Sequence, residues 1–68
     1  MNTIDPKYIG KKLIELRGSR TQAEVARALN ISPSAYSMYE TGNRIPRDSI
    51  KIRIAEYYKK PVHKIFYP

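Results

Sequence analysis

The chain has 68 residues, no cysteine, and 13 Lys and Arg against six Asp and Glu, which gives a net charge of +7. This length predicts one domain over residues 1–68, too small for a deep catalytic cleft. The lack of cysteine excludes disulfides and thiolate metal sites, and the single histidine, His63, cannot make a zinc site alone. The positive charge favours a polyanionic partner, with nucleic acid ahead of a membrane surface.

Helix start and stop residues divide the first half of the chain into two short predicted helices. Asp5 followed by a proline is an N-cap signal, and Gly18 ends the apolar stripe that follows. Thr21 and Glu24 have the spacing of a capping box. Asn30 tolerates a left-handed backbone and is predicted to end the second helix. A helix of about eight residues is unstable alone, so it must pack against a neighbour.

The second half of the chain predicts three more helices, one of them from an ambiguous pattern. Ser32 before a proline starts the third helix, and Gly42 ends it. From Ile50 to Ile54, apolar and basic residues alternate as in a strand, but a helical stripe continued by a tyrosine fits as well. A lone strand would have no pairing partner, so a helix is favoured. A last amphipathic turn follows at residues 62–66.

The second and third helices, joined by a turn at residues 30–32, have the spacing of a helix-turn-helix. The later helix of such a pair fits the major groove of B-DNA, which is about 12 Å wide. Residues 21–42 carry a net charge of −1, whereas residues 1–20 carry +3 and residues 43–68 carry +5. This arrangement suits a reading element held between segments that contact phosphates.

The residues around this turn resemble a known family. The resemblance is carried by TQAEVARALNIS at residues 21–32, SAYSMYETGNRIP at 34–46, and IAEYY and VHKIF at 54–58 and 62–66. These strings are similar to the Xre family of bacterial and phage regulators, which have the Cro and cI-type helix-turn-helix. The resemblance implies an all-α, lambda-repressor-like fold of five short helices. It also implies a transcriptional repressor that binds a palindromic operator on double-stranded DNA as a homodimer.

The resemblance implies a role for each matching position. The recognition helix, about residues 32–41, would read base edges through Pro33, Ser34, Ser37 and Met38. This set includes no Arg, Lys, Asn or Gln, so none of the four can make a bidentate contact to a base. We therefore expect modest direct readout, with part of the specificity coming from DNA shape. Met38 could instead fill a gap against the core.

Phosphate contacts are implied on either side of the recognition helix and in the loop that follows it. The matching residues are Gln22, Ser32, Thr41, Asn43, Arg44 and Arg47. Gln22 lies at the start of a helix, where the helix dipole favours an anion. Arg44 is the strongest candidate, and Lys51 could extend the basic strip. Each of these basic side chains could instead be a solvated surface residue.

Two further sets of residues receive structural roles from the resemblance. Arg17 and Glu40 match a pair that links the first helix to the end of the third, and a buried pair of this kind is costly to break. The dimer surface is expected on the last helix, and it comprises Val62, Ile65, Phe66 and Tyr67. These four residues could equally close the core of the bundle.

A protein-interaction module with the same fold, such as an antitoxin or an adaptor, is the competing prediction. Such proteins often carry an extra segment that covers a partner, and we expect no such segment after Pro68. An enzyme is not expected, because the acidic residues form no catalytic pair and there is no Cys or His nucleophile set. No cofactor or metal is expected. No apolar run approaches the ~20 residues of a membrane span, and no secretory signal is present, so the expected location is the cytoplasm.

Overall fold

The computed structural model describes residues 5–67, which form five α-helices without a strand. The helices are α1 (Pro6–Arg17), α2 (Gln22–Leu29), α3 (Pro33–Thr41), α4 (Asp48–Tyr58) and α5 (Val62–Phe66). The prediction of an all-α fold with five short helices is therefore confirmed, including the helix favoured over a strand for α4. Within the same range, no helix combines the length and apolar character that crossing a membrane requires.

The first three helices begin with the side-chain caps that their sequences predicted. Oδ1 of Asp5 accepts the backbone N–H two residues later at 3.0 Å. Thr21 and Glu24 form a reciprocal capping box, with donor–acceptor distances of 2.9 and 3.0 Å. Oγ of Ser32 accepts the backbone N–H three residues later at 3.1 Å. These bonds satisfy N–H groups that the start of a helix leaves unpaired, and they explain why such short helices have defined starting points.

Left-handed residues end α2 and α3 where the sequence placed the stops. Asn30 has φ 60° and Gly42 has φ 82°. The backbone N–H groups at both positions turn back onto carbonyls of the last helical turn. The chain therefore leaves α2 through a three-residue turn and starts α3 at once, as a helix-turn-helix requires.

The core lies between all five helices and consists of aliphatic and aromatic side chains. Those with 2% exposure or less and large volume include Ile9, Leu13, Val25, Leu29, Tyr36, Ile54, Ile65 and Phe66. Among the core side chains, the hydroxyls of Tyr36 and Tyr58 form a hydrogen bond of 2.8 Å. Burial raises the pKa of both hydroxyls, and one of them donates its hydrogen to the oxygen of the other.

The structure corrects the predicted dimer surface at Ile65 and Phe66. Both side chains have 0% exposure and belong to the core cluster, so they have no surface to offer a second copy. The apolar face of the five-residue helix α5 packs against α1 and α4 and is buried there. Val62 is half-buried and Tyr67 is 44% exposed, so only these two keep the surface that an interface would need.

Candidate nucleic-acid interface

The outer face of α3 carries the four residues expected to read bases. Pro33, Ser34 and Met38 are exposed, and Ser37 is half-buried. The two tyrosines of α3 are buried on the opposite face, which orients the helix on the core. The exposed face therefore offers hydroxyls, a proline ring and a thioether, and it carries no charge.

The start of α3 and the start of α2 each present a polar side chain. Ser32 uses its Oγ as an acceptor for the helix cap, which leaves its hydroxyl hydrogen free to donate to an anion. Gln22 donates an amide hydrogen from Nε2 to Oε1 of Glu40 at 2.8 Å. An amide has a second hydrogen, so Gln22 can make this internal bond and still donate to a phosphate.

Glu40 is the centre of a buried polar cluster that joins three helices. Arg17 donates from Nε to Oε2 at 2.7 Å and from Nη2 to Oε1 at 3.0 Å, which is a bidentate ion pair. Together with the bond from Gln22, these contacts connect α1, the first turn of α2 and the last turn of α3. The family resemblance predicted the Arg17–Glu40 pair, whereas the bond from Gln22 to Glu40 becomes visible only in the folded chain.

The pKa values of the pair move in opposite directions. Burial by itself raises the pKa of Glu40, but the hydrogen bonds from Arg17 and Gln22 lower it further than burial raises it. The hydrogen bond to Glu40 raises the pKa of Arg17. Both groups are therefore held in their charged forms, and their charges cancel inside the fold. The acidic residue of the recognition helix is therefore neutralised without DNA.

The loop after α3 holds two basic side chains that the fold does not use. Arg44 and Arg47 are exposed, and neither forms a side-chain hydrogen bond or an ion pair with any residue in the range 5–67. Asn43 is also exposed. Thr41 is exposed as well, and without DNA its hydroxyl donates to the carbonyl of Met38 at 3.2 Å. To reach a phosphate, this hydroxyl would have to turn away from that carbonyl.

Lys51 does not extend the basic strip. Its side chain is buried, with Nζ 2.7 Å from the hydroxyl of Tyr67 and 3.7 Å from Oδ1 of Asp48. Nζ also lies 4.8 Å from the centre of the Tyr67 ring and 5.8 Å from that of Phe66. The ammonium group therefore fastens the end of α5 to α4, and this internal role corrects the expected one.

The helix arrangement agrees with a comparison of the sequence with models of protein families. A family model described as helix-turn-helix matches residues 11–65, which is most of the chain. The chain belongs to this helix-turn-helix family. The match includes α2, the turn and α3, as well as the loop with the free arginines. Comparison with curated protein sequences gives no match.

Two solved structures share the fold of this helix-turn-helix protein. The SOS-response transcriptional repressor LexA from Eubacterium rectale has a TM-score of 0.84 and 21% identity, over 90% of this chain and 67% of its own. The clp gene regulator ClgR from C. glutamicum has a TM-score of 0.77 and 20% identity, over 93% of this chain and 84% of its own. At these identities the likeness is one of fold.

Two arginines of the helix-turn-helix protein have structural roles that the sequence did not indicate. Arg53 donates from Nη1 to the carbonyl of Leu29 at 3.0 Å, which caps the end of α2. The guanidinium of Arg20 lies 5.5 Å from the centre of the Tyr57 ring and 5.8 Å from that of Tyr58. Both contacts join segments far apart in sequence, so no local pattern could have revealed them.

Proposed function

We propose that this helix-turn-helix protein is a sequence-specific regulator of transcription that binds double-stranded DNA with α3 in the major groove. The observation that carries the proposal is the contrast at α3. Its outer face is exposed and uncharged, while Arg44 and Arg47 lie just beyond its end without a partner in residues 5–67. Backbone contacts from such a loop set the position of the protein, and an uncharged face can approach base edges without repelling phosphates. The family match supports the same function.

The proposal includes a homodimer on a palindromic operator. One short recognition helix contacts few base pairs, and two copies on half-sites about one helical turn apart would give usable specificity. Val62 and Tyr67 are the predicted interface residues that keep some exposure in the single chain. A domain bound at an operator excludes other proteins from the same DNA, so we propose repression as its effect.

Selection of bound duplexes from a random pool, followed by sequencing, tests this function. We expect enrichment of a palindrome whose half-site centres lie about 34–36 Å apart, or a multiple of that spacing. Enrichment without symmetry would contradict the dimer. A folded protein that binds no duplex even at low salt would contradict the DNA-binding function and favour a protein-interaction module.

A substitution on the exposed face of α3 tests whether that face contacts bases in the selected duplexes. Ser34 is exposed on α3, and its side chain makes no hydrogen bond to residues 5–67. Ser34→Gln adds an amide of the type that makes a bidentate contact with adenine. We expect the selected half-site to change at one position in favour of A·T, at the same half-site spacing. An unchanged half-site would place Ser34 outside the interface.

A further inference from the structure

The contact between α1 and the end of α3 is close enough to fix their relative position. Gly10 faces the last turn of α3, where an added Cβ would collide with the carbonyl oxygen of Glu40 and lie 3.2 Å from that of Tyr39. Gly10 is buried in this contact. The two backbones thus touch directly, and the first turn of α1 is held against the C-terminus of the recognition helix.

Lys7 lies three residues earlier in α1, and it packs against the residue that ends α3. A Cβ on Gly42 would be 3.4 Å from both Cα and Cγ of Lys7. The stem of Lys7 therefore borders the start of the loop that carries Asn43 and Arg44. Lys7 is exposed, and its ammonium group forms no hydrogen bond or ion pair with the described residues.

The position of Lys7 is unfavourable for the stability of the isolated helix. It lies in the first turn of α1, where the helix dipole is positive and an acidic residue would be preferred. The fold offers the ammonium group no compensating partner among residues 5–67. The Asp5 carboxylate at the N-cap complements the helix dipole but is bonded to the backbone N–H of Lys7, so a phosphate would supply the partner that the ammonium group lacks.

We infer that Lys7 is a phosphate contact that continues the basic surface of the Asn43–Arg44 loop onto α1. This inference rests on the proposed DNA-binding function, and it adds a residue from outside the helix-turn-helix to the interface. Asp5 acts in the opposite sense. Its carboxylate lies at the start of the same helix, two residues before Lys7, and would be repelled by the same phosphate.

The test measures the affinity of a labelled duplex by fluorescence anisotropy between 50 and 200 mM salt. We expect Lys7→Ala to lower the affinity and to reduce the salt slope by about 0.9, so that the loss of affinity across this range becomes about 3.5-fold smaller. Asp5→Asn keeps an N-cap side chain and removes the repulsion, so it should tighten binding. The melting temperature of Lys7→Ala should stay unchanged or rise.

Lys60→Ala is the matched control. Lys60 is exposed just beyond α4, whose end meets the C-terminus of α1 through Arg20 on Tyr57 and Tyr58. From Lys7 to Arg17, the last residue of α1, the helix rises about 15 Å. Lys60→Ala should therefore change the salt slope far less than Lys7→Ala, although both remove one charge.

The outcomes separate this inference from the function on which it rests. If the unmodified protein binds duplex and Lys7→Ala has the unmodified salt slope, or changes it no more than Lys60→Ala, then Lys7 is not a phosphate contact. A Lys7→Ala protein that melts well below the unmodified one would assign Lys7 to stability and also overturn the inference. If the unmodified protein fails to bind duplex at 50 mM salt, the proposed function itself fails.

Discussion

Seven of the 13 basic residues fall into two groups that a count of charges cannot separate. Arg17, Arg20, Lys51 and Arg53 contact carboxylates, carbonyls, a hydroxyl or aromatic rings of the same chain. Arg44, Arg47 and Lys7 have no such side-chain contact in residues 5–67. The first group holds the helices together and the second is available to a polyanion, so the net charge overstates the charge available for binding.

Breaking the Arg17–Glu40 pair should have the largest effect, and we expect it on the free energy of unfolding. Arg17→Met leaves the carboxylate of Glu40 buried without its ion-pair partner, and removing one member of a buried pair costs about 3–5 kcal/mol. Because the Arg17 side chain is 21% exposed, we expect the lower end of that range. Urea unfolding followed by circular dichroism measures the change.

A matched variant makes the Arg17 result decisive. Lys60→Met has the same change of charge at an exposed position without a partner in residues 5–67, and it should leave the stability within about 0.5 kcal/mol. Equal losses in Arg17→Met and Lys60→Met would mean that the Arg17–Glu40 pair contributes nothing of its own to the fold.

Lys51→Met should have a smaller effect, also on stability. The variant keeps the apolar stem and removes the ammonium group that bonds the Tyr67 hydroxyl, at a cost of about 1–2 kcal/mol. The salt slope of duplex binding should stay at its unmodified value, because Lys51 belongs to the internal group. A slope reduced by about 0.9 would return Lys51 to the phosphate-binding strip.

Arg44→Ala should have the smallest effect on the fold and a clear effect on binding. The melting temperature should be unchanged, because the side chain has no partner to lose in residues 5–67. Loss of one phosphate contact should reduce the salt slope by about 0.9 and lower the affinity at low salt. If Arg44→Ala binds with the affinity and slope of the unmodified protein, the assignment of the free group to DNA is wrong.

The parts of the fold that the sequence predicted are those determined by neighbours in the chain. The N-caps at Asp5, Thr21 and Ser32, and the left-handed stops at Asn30 and Gly42, act within four residues, so the sequence pattern alone reveals them. The fourth helix was ambiguous because alternating isoleucines fit two periods. Only the lack of a pairing partner argued against a strand.

The errors concern side chains whose partners are distant in sequence. Lys51 meets Tyr67 16 residues later, and Phe66 closes a core built from every other helix. Residue type and spacing alone do not distinguish an exposed basic side chain from a buried one that joins two helices. For the same reason no sequence pattern indicates that Lys7 borders Gly42, since that contact depends on how closely α1 crosses α3.

The buried hydroxyl pair of Tyr36 and Tyr58 provides an absorbance signal from inside the core. The chain has no tryptophan and six tyrosines, so its near-ultraviolet absorbance comes from tyrosine. In the fold, the pKa of both paired hydroxyls is raised, so they stay protonated when pH passes the ordinary value of about 10. In the unfolded chain they ionise there, which favours unfolding as pH rises further. The phenolate signal of these two rings is therefore shifted to higher pH in the fold, and an alkaline titration follows the core without any added label.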